Sequence, residues 1–105
     1  MSNEFFEEIS QIVEQRGKDY GSPLENHIRI AKGWAGILGF EPSPVQVGLC
    51  MLYVKQARLS KTQNHLDSIK DIAGYAYVIN EVVKAMSEMQ GKGVDVPTES
   101  DVGRG

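Results

Sequence analysis

The chain has few of the residues that secreted, zinc-dependent or membrane-spanning proteins rely on. Its 105 residues include one cysteine, Cys50, so no disulfide framework can form within it. His27 and His65 are its only histidines, and no Cys/His cluster has the spacing of a zinc site. No apolar run approaches the ~18 residues of a membrane span, and the acidic start lacks the basic and apolar regions of a signal peptide. These absences predict a cytoplasmic protein with no membrane partner.

Phosphate-binding loops and a basic charge balance are also missing. Neither a GxxxxGK[ST] loop nor a GxGxxG turn is present, which argues against a conventional kinase or dinucleotide-binding architecture. The formal net charge of -3 argues against a protein that binds duplex nucleic acid, because such proteins need a net basic face. Small anionic ligands remain compatible with this charge.

The length and composition predict one small domain. A chain of 105 residues with 41% hydrophobic residues has room for a single, modest core. We therefore expect residues 1–90 to form one helical domain and further stability to come from a homo-oligomer. Residues 91–105 are rich in glycine and polar residues and lack periodicity, which predicts a flexible tail.

Helical periodicity and capping signals predict the first two helices. Apolar residues recur at helical spacing over residues 3–16, and Gly17 is placed to end that helix. Ser22 then precedes Pro23, with Glu25 two residues further on, which is the pattern of a capping box with proline at the first helical position. The second helix is predicted to run from there to Gly39.

The same signals predict two more helices. Ser43, Pro44 and Gln46 repeat the capping pattern and start a third helix, in which Cys50 is expected to be a buried thiol. Asn64 can cap a fourth helix that continues towards Gly91, and Trp34 and Tyr77 fall among apolar residues as expected core aromatics. The predicted fold is all-α, a compact four-helix arrangement.

Charged residues near the end of the third predicted helix are the first candidates for a ligand site. Lys55 and Arg58 lie one turn apart and so share one face. They could bind phosphate, or they could simply be cations placed favourably at the negative end of a helix.

The fourth predicted helix carries a complementary set. Asp67, Asp71 and Tyr75 are spaced four residues apart and project from one side, next to Gly74. Acids at this spacing can hold a divalent cation or accept hydrogen bonds from ribose or base. They can equally form salt bridges, Asp67 with Lys70 or Asp71 with the preceding cations. Gly74 indicates the close approach of another group, since glycine inside a helix costs about 1 kcal/mol relative to alanine.

The segment KDYGSPLENHIRI supplies a third group of candidates. Gly21 permits positive φ before the helix cap, and the free N–H groups behind it can cradle an anion. Lys18 adds charge, as does Arg16. Asn26 and Arg29 lie three residues apart, where an amide and a guanidinium suit a base edge and a phosphate.

Two longer stretches carry a resemblance to a known group. RGKDYGSPLENHIRIAKGW and VKQARLSKTQNHLDSIKDIAGYAYV, within residues 16–78, resemble a family of small phage-encoded helical proteins of unassigned function. The shared pattern comprises a Tyr-Gly turn, an Asn, an Ile-Ala-x-x-Trp-like helix, a Lys-x-x-Arg segment and an Asp-x-x-x-Asp-x-x-Gly-Tyr helix. The resemblance implies an all-α phage protein.

More remotely, the chain is similar to phage nucleotide-metabolism proteins and to the all-α NTP pyrophosphatases. The pyrophosphatases bind magnesium through E-E-x-x-E and E-x-x-D motifs. This chain departs from them, because Gln11 and Ile12 follow Glu7 and Glu8 and its second motif is D-x-x-x-D. The departure favours nucleotide binding over hydrolysis.

The leading hypothesis is therefore a phage protein that binds a nucleotide or cyclic nucleotide in the host cytoplasm, sequestering a host-defence signal. The ligand-binding candidates are Lys18, Tyr20, Asn26, Arg29, Lys55, Arg58, His65, Asp67, Asp71 and Tyr75. No resident cofactor is expected. One alternative is a magnesium-dependent phosphotransferase or pyrophosphohydrolase with Asp67 and Asp71 as metal ligands, and another is a protein-interaction module without a ligand.

Overall fold

The computed structural model describes residues 3–91, and all of its regular structure is helical. The four helices are α1 (Glu4–Tyr20), α2 (Pro23–Leu38), α3 (Pro44–Lys61) and α4 (Leu66–Gly91). They pack into a compact bundle, which confirms the predicted all-α four-helix arrangement. The 26-residue α4 is its centre, since α1, α2 and α3 all pack against it.

The first helix is longer than predicted, and the prediction that Gly17 ends it is wrong. α1 continues through Tyr20 and stops at Gly21, whose φ of 86° is one that other residues rarely adopt. The N–H of Gly21 donates to the carbonyl oxygen of Gly17 at 3.0 Å, so Gly17 is part of the last turn. The predicted Lys-Asp-Tyr-Gly turn is thus mostly helix.

The predicted starts of α2 and α3 are confirmed. Ser22 Oγ accepts the N–H of Glu25 at 3.2 Å, but the Glu25 side chain returns no hydrogen bond to the Ser22 N–H in the described residues, so the predicted capping box of α2 is only half formed. At α3 the capping box is complete, because Gln46 N–H donates to Ser43 Oγ at 3.1 Å and Ser43 N–H donates to Gln46 Oε1 at 2.8 Å. In both helices proline occupies the first turn, where its missing N–H has no cost.

The predicted cap of α4 was wrong by one residue. The helix begins at Leu66, and His65 rather than Asn64 makes the capping contacts. His65 Nδ1 accepts the N–H of Ser68 at 3.2 Å, and Ser68 Oγ lies 2.7 Å from the same nitrogen. Asp67 lies in the first turn, as predicted.

The prediction that another group approaches closely at Gly74 is wrong, whereas Gly48 of α3 does admit α4. A Cβ on Gly74 would lie 4.0 Å from Cγ2 of Ile9, an ordinary contact with α1 that alanine would also allow. A Cβ on Gly48 would lie only 2.7 Å from Cγ1 of Ile79, closer than such atoms can approach. The tightest helix contact is therefore between α3 and α4, at a glycine that the sequence pattern did not single out.

The apolar core is small, and part of the predicted core lies at the surface. The buried apolar side chains in residues 3–91 are Ile9, Val13, Leu24, Ala31, Val47 and Val82. Cys50, expected to be buried, is exposed, and so is Tyr77, while Trp34 is only half-buried. Helical periodicity identified apolar faces correctly but could not tell which of them another helix would cover.

Most of the predicted tail lies outside the described residues. Gly91, which the prediction placed in the tail, is the last residue of α4, and residues 92–105 lie outside the described residues. Among the helices of residues 3–91, none is long and apolar enough to cross a membrane.

Candidate functional site

A cavity of about 300 Å³ lies where α1, α2 and α4 meet. This volume is at the lower end of the range for small-molecule sites. Its polar lining residues are Arg16, Tyr20, Asn26, His27 and Tyr75. Its apolar and glycine lining residues are Val13, Gly17, Gly21, Pro23 and Val78. The cavity therefore combines a cation, two aromatic rings, an amide and an imidazole in one small space.

The sharp corner between α1 and α2 forms one wall of this cavity. The positive φ of Gly21 ends α1, and Ser22 and Pro23 start α2 immediately afterwards. Gly17 has no side chain to fill the space inside the corner. The segment KDYGSPLENHIRI thus shapes this wall, as a junction between two helices and not as a turn.

Arg29 holds this corner together from the outside. Its Nη1 donates to the carbonyl oxygen of Tyr20 and to Oδ1 of Asn26, each at 3.3 Å. The first contact joins α2 to the end of α1, and the second occupies the amide oxygen of Asn26. The side-chain NH₂ of Asn26 remains available as a donor. Arg29, predicted to contact a ligand, is exposed and does not line the cavity, so it positions Asn26 instead.

His27 is the most deeply buried polar residue that lines the cavity. The residue is 4% exposed, and Nδ1 lies 2.8 Å from the carbonyl oxygen of Pro23. A carbonyl only accepts, so Nδ1 carries the proton and Nε2 is left as an acceptor. Among the described residues, Nε2 is buried without a hydrogen-bond partner.

Burial also sets the charge state of this imidazole. Loss of water lowers the pKa of His27 below its ordinary value, and the hydrogen bond to Pro23 offsets this only in part. The ring is therefore neutral near pH 7. A neutral ring with a free Nε2 favours a group that donates a hydrogen bond.

Asp71 lies between two cations beside the cavity. Lys55 Nζ is 3.1 Å from Asp71 Oδ2, and Arg16 Nη2 is 4.0 Å from Asp71 Oδ1. The Lys55 side chain is only 16% exposed, whereas that of Arg16 is 51% exposed. Asp71 is therefore paired closely with Lys55 and only loosely with Arg16. This joins α1, α3 and α4 through one carboxylate.

The remaining predicted residues do not gather at this cavity. Arg58 and His65 line a second, more open hollow of about 280 Å³ with Lys61 and Thr62. Lys18 is exposed in the last turn of α1 and lines neither space. Asp67 is exposed, and no ion pair joins it to Lys70 in the described part of the chain. Only Tyr20, Asn26 and Tyr75 of the ten predicted ligand residues line the main cavity.

Lys70 is paired with the first helix instead. Its Nζ donates to Glu8 Oε1 at 2.9 Å, and this contact raises the pKa of Lys70. Within residues 3–91 there is no group of three or more His, Cys, Asp or Glu side chains that could hold a metal ion. The prediction that Asp67 and Asp71 bind magnesium stays a prediction of the enzyme alternative.

Two contributors to the cavity were missed as site residues. Arg16 was noted only as nearby charge, because the sequence placed it at the end of a helix and not inside one. His27 was considered only as a zinc ligand. A signal was available for His27, since its position four residues after Pro23 allows an imidazole to reach back to that carbonyl within one turn.

Comparisons with known proteins place the chain among phage proteins. The chain is 38% identical over 93 residues to the Gene 55 protein of Mycobacterium phage L5, a match that covers 81% of this chain and 60% of that protein. It is 37% identical over 83 residues to the Gene 55 protein of Mycobacterium phage D29, covering 78% of this chain and 55% of that protein. The chain thus spans little more than half the length of these relatives. No solved structure matches.

These relatives confirm the resemblance to phage proteins, and the similarity to nucleotide-metabolism proteins and pyrophosphatases stays a prediction. The family match covers most of the described helices, from the first turn of α1 to Val83 in α4. Residues 4–83 match the domain of unknown function DUF6378, and the chain belongs to that family.

Proposed function

We propose that the cavity between α1, α2 and α4 binds a nucleotide or cyclic nucleotide. The supporting observation is that Tyr20, Asn26 and Tyr75 line this one cavity although they come from three helices. Each was predicted from the sequence as a ligand contact. Arg16 and His27 add a cation and a neutral acceptor to them.

The residues suit the separate parts of a nucleotide. Arg16 is half exposed and loosely paired, so its guanidinium can turn to a phosphate and bind two of its oxygens. Tyr20 and Tyr75 offer faces on which a base can stack. The amide NH₂ of Asn26 can donate to a base edge, since Arg29 already occupies its oxygen.

His27 would select among ligands by what they donate. Its buried Nε2 has no partner among residues 3–91, and a ligand N–H or O–H would satisfy it. A base with an exocyclic amine or a ring N–H supplies such a donor, as does a ribose hydroxyl. An analogue without a donor there would leave the nitrogen unpaired and bind less well.

We further propose that the protein retains the ligand without converting it. It would then sequester a nucleotide signal of a host-defence pathway. Retention is supported by the pairing of Asp71, whose carboxylate is neutralised by Lys55 at 3.1 Å. A carboxylate in that position attracts a divalent cation less than a free one does. The phage family supplies the context for the host target.

A thermal-shift screen tests this proposal directly. The full chain is heated with mono-, di-, tri- and cyclic nucleotides, with and without magnesium, and each mixture is then chromatographed. A ligand at about 100 times its dissociation constant stabilises by about 2.7 kcal/mol, which raises Tm by roughly 10 °C or more in a domain of about 100 residues. We expect such a rise with the nucleotide recovered intact.

Matched variants locate the ligand. Tyr75→Leu removes a cavity aromatic, while Tyr77→Leu removes an exposed aromatic two residues away on the same helix. Arg16→Gln and Lys18→Gln make the same comparison for a cation on α1. The first member of each pair should lose the shift and the second should keep it.

Other results would overturn the proposal in distinct ways. Conversion of the nucleotide would favour the magnesium-dependent enzyme, with Asp67 and Asp71 as its candidate metal ligands. A shift that Tyr75→Leu leaves intact would place the ligand elsewhere, with the hollow at Arg58 and His65 as the next candidate. No shift with any nucleotide would favour the protein-interaction module.

A further inference from the structure

The outer face of α3 carries exposed apolar side chains between Leu49 and Ala57. They are spaced by four residues along two adjacent rows, on the side of the helix away from the buried Gly48. We call these exposed residues the outer strip: Leu49, Cys50, Tyr53, Val54 and Ala57. No charged residue is among them. Leu49 and Tyr53 are 51% and 69% exposed, so the strip is open to solvent in the isolated chain.

Such a strip is unusual on a helix whose other side is already packed. A surface helix normally carries polar residues opposite its buried face, and a helix that is apolar all round is normally buried all round. The opposite side of α3 packs on α2 and α4. Within residues 3–91 no other helix covers the strip, since Leu49, Tyr53 and Val54 are each at least 44% exposed.

We propose that the outer strip is the interface of a homodimer in which two α3 helices pack antiparallel about a two-fold axis near Tyr53. Two-fold symmetry makes one patch meet itself, so the patch must be self-complementary. A strip without charges satisfies this, because no like charges are brought together. Positions equally far from Tyr53 then face each other, which sets Leu49 against Ala57 of the other copy in both directions.

The charges at the ends of α3 favour a second copy in this orientation. Arg58 and Lys61 are exposed near its C-terminus, and Glu41 lies just before its N-terminus, held loosely by Lys32 at 3.9 Å. Antiparallel packing brings the basic end of each copy next to the acidic approach of the other. In this arrangement the dipoles of the two α3 helices point in opposite directions, which is more favourable than the aligned dipoles of a parallel pair.

The area of the strip is suitable for a dimer of moderate affinity. One aromatic side chain can bury about 150–250 Å², so five partly exposed side chains centred on Tyr53 supply on the order of 400 Å² per copy. Two copies of the strip therefore supply on the order of 800 Å², and the roughly 1,000 Å² of a specific interface requires a rim of polar neighbours such as Gln46, Ser60 and Lys61. The aromatic centre and uncharged core match the composition of homodimer interfaces.

The mass of the full chain in solution tests this proposal, independently of any ligand in the cavity. Sedimentation velocity over a wide range of protein concentrations should show the mass doubling as the concentration rises. Tyr53→Glu should remain monomeric throughout, since it places two carboxylates at the axis. Tyr77→Glu puts the same charge at an exposed tyrosine of α4 and should dimerise normally. Ala57→Arg repeats the test at a second position, and circular dichroism checks that each variant folds.

Disulfide trapping tests the orientation. In a Cys50→Ser background, chains carrying Leu49→Cys and chains carrying Ala57→Cys are mixed and oxidised mildly. Antiparallel packing predicts cross-links between the two kinds of chain and few between identical chains. Cross-links confined to identical chains would overturn the antiparallel arrangement, and a wild type that stays monomeric, or a dimer that survives Tyr53→Glu, would overturn the interface itself.

Discussion

The two faces of α3 are both largely apolar, but only one is in contact with the rest of the chain. On the inner face Gly48 lies against Ile79 and beside His27, and Lys55 reaches Asp71 at 3.1 Å. On the outer face Leu49 and Tyr53 are exposed to solvent. Hydrophobicity alone therefore does not separate a packed face from an unpacked one. The inner face is distinguished by a small residue that admits a neighbouring helix and by a charge with a partner across the gap.

The strongest test of this comparison is a methyl group added at the closest helix contact. Gly48→Ala places a Cβ 2.7 Å from Ile79 Cγ1, and overpacking of this kind costs about 1–3 kcal/mol. Gly33→Ala on α2 meets no atom within 4 Å and should gain up to about 1 kcal/mol from better helix propensity. Urea unfolding of both variants should give opposite signs, differing by about 2 kcal/mol or more. Equal stabilities would mean that α3 and α4 are not in close contact at Gly48.

Removing the charge of Lys55, on the inner face of α3, should lower the stability by less than Gly48→Ala does. Lys55→Met leaves the partly buried carboxylate of Asp71 with only the loosely held Arg16, and we expect a loss of about 1 kcal/mol. Lys84→Met removes a cation from an exposed pair with Glu81 at 4.0 Å and should change stability by less than about 0.5 kcal/mol. Both can be measured by urea unfolding at low and moderate salt. If Lys84→Met cost as much as Lys55→Met, the position of Lys55 on the inner face would have no energetic significance.

Replacing His27 should give the smallest of these effects, a change in how stability depends on pH. Burial lowers its pKa in the folded state, whereas the unfolded chain takes up a proton near the ordinary value of 6.5. Stability from this group is therefore full above that value and declines as the pH falls towards the lowered folded pKa. His27→Gln should show a flatter fall in Tm between neutral and mildly acidic pH than the wild type. The same slope in both proteins would contradict a neutral, buried His27.

Local signals predicted the starts of α2 and α3 and the end of α2 at Gly39, but they misplaced the end of α1 and, by one residue, the cap of α4. Ser-Pro pairs fixed the starts of α2 and α3, because the hydroxyl cap and the proline each act within one turn. The end of α1 was misplaced because two glycines lay four residues apart, and only the one with positive φ stops the helix. Sequence cannot give φ, so Gly17 and Gly21 were equivalent candidates.

The candidate site was predictable in part for a similar reason. Tyr20 and Asn26 lie on either side of one helix junction, so local reasoning could bring them together. Arg58 and His65 were predicted to join the same site, yet they line a separate hollow. Their location depends on how α3 and α4 are rotated about their axes within the bundle. No short-range sequence pattern specifies this rotation.

The sequence by itself determined that this protein is built from four helices, where two of them begin, and that Tyr20 and Asn26 lie on either side of one helix junction. These properties depend on interactions within one or two turns, which the order of residues specifies directly. Only the tertiary structure decided which apolar faces are covered, which cation holds Asp71, and which candidates share a cavity. Those outcomes depend on the crossing of helices far apart in the chain, where the space left by a glycine such as Gly48 decides how closely they pack.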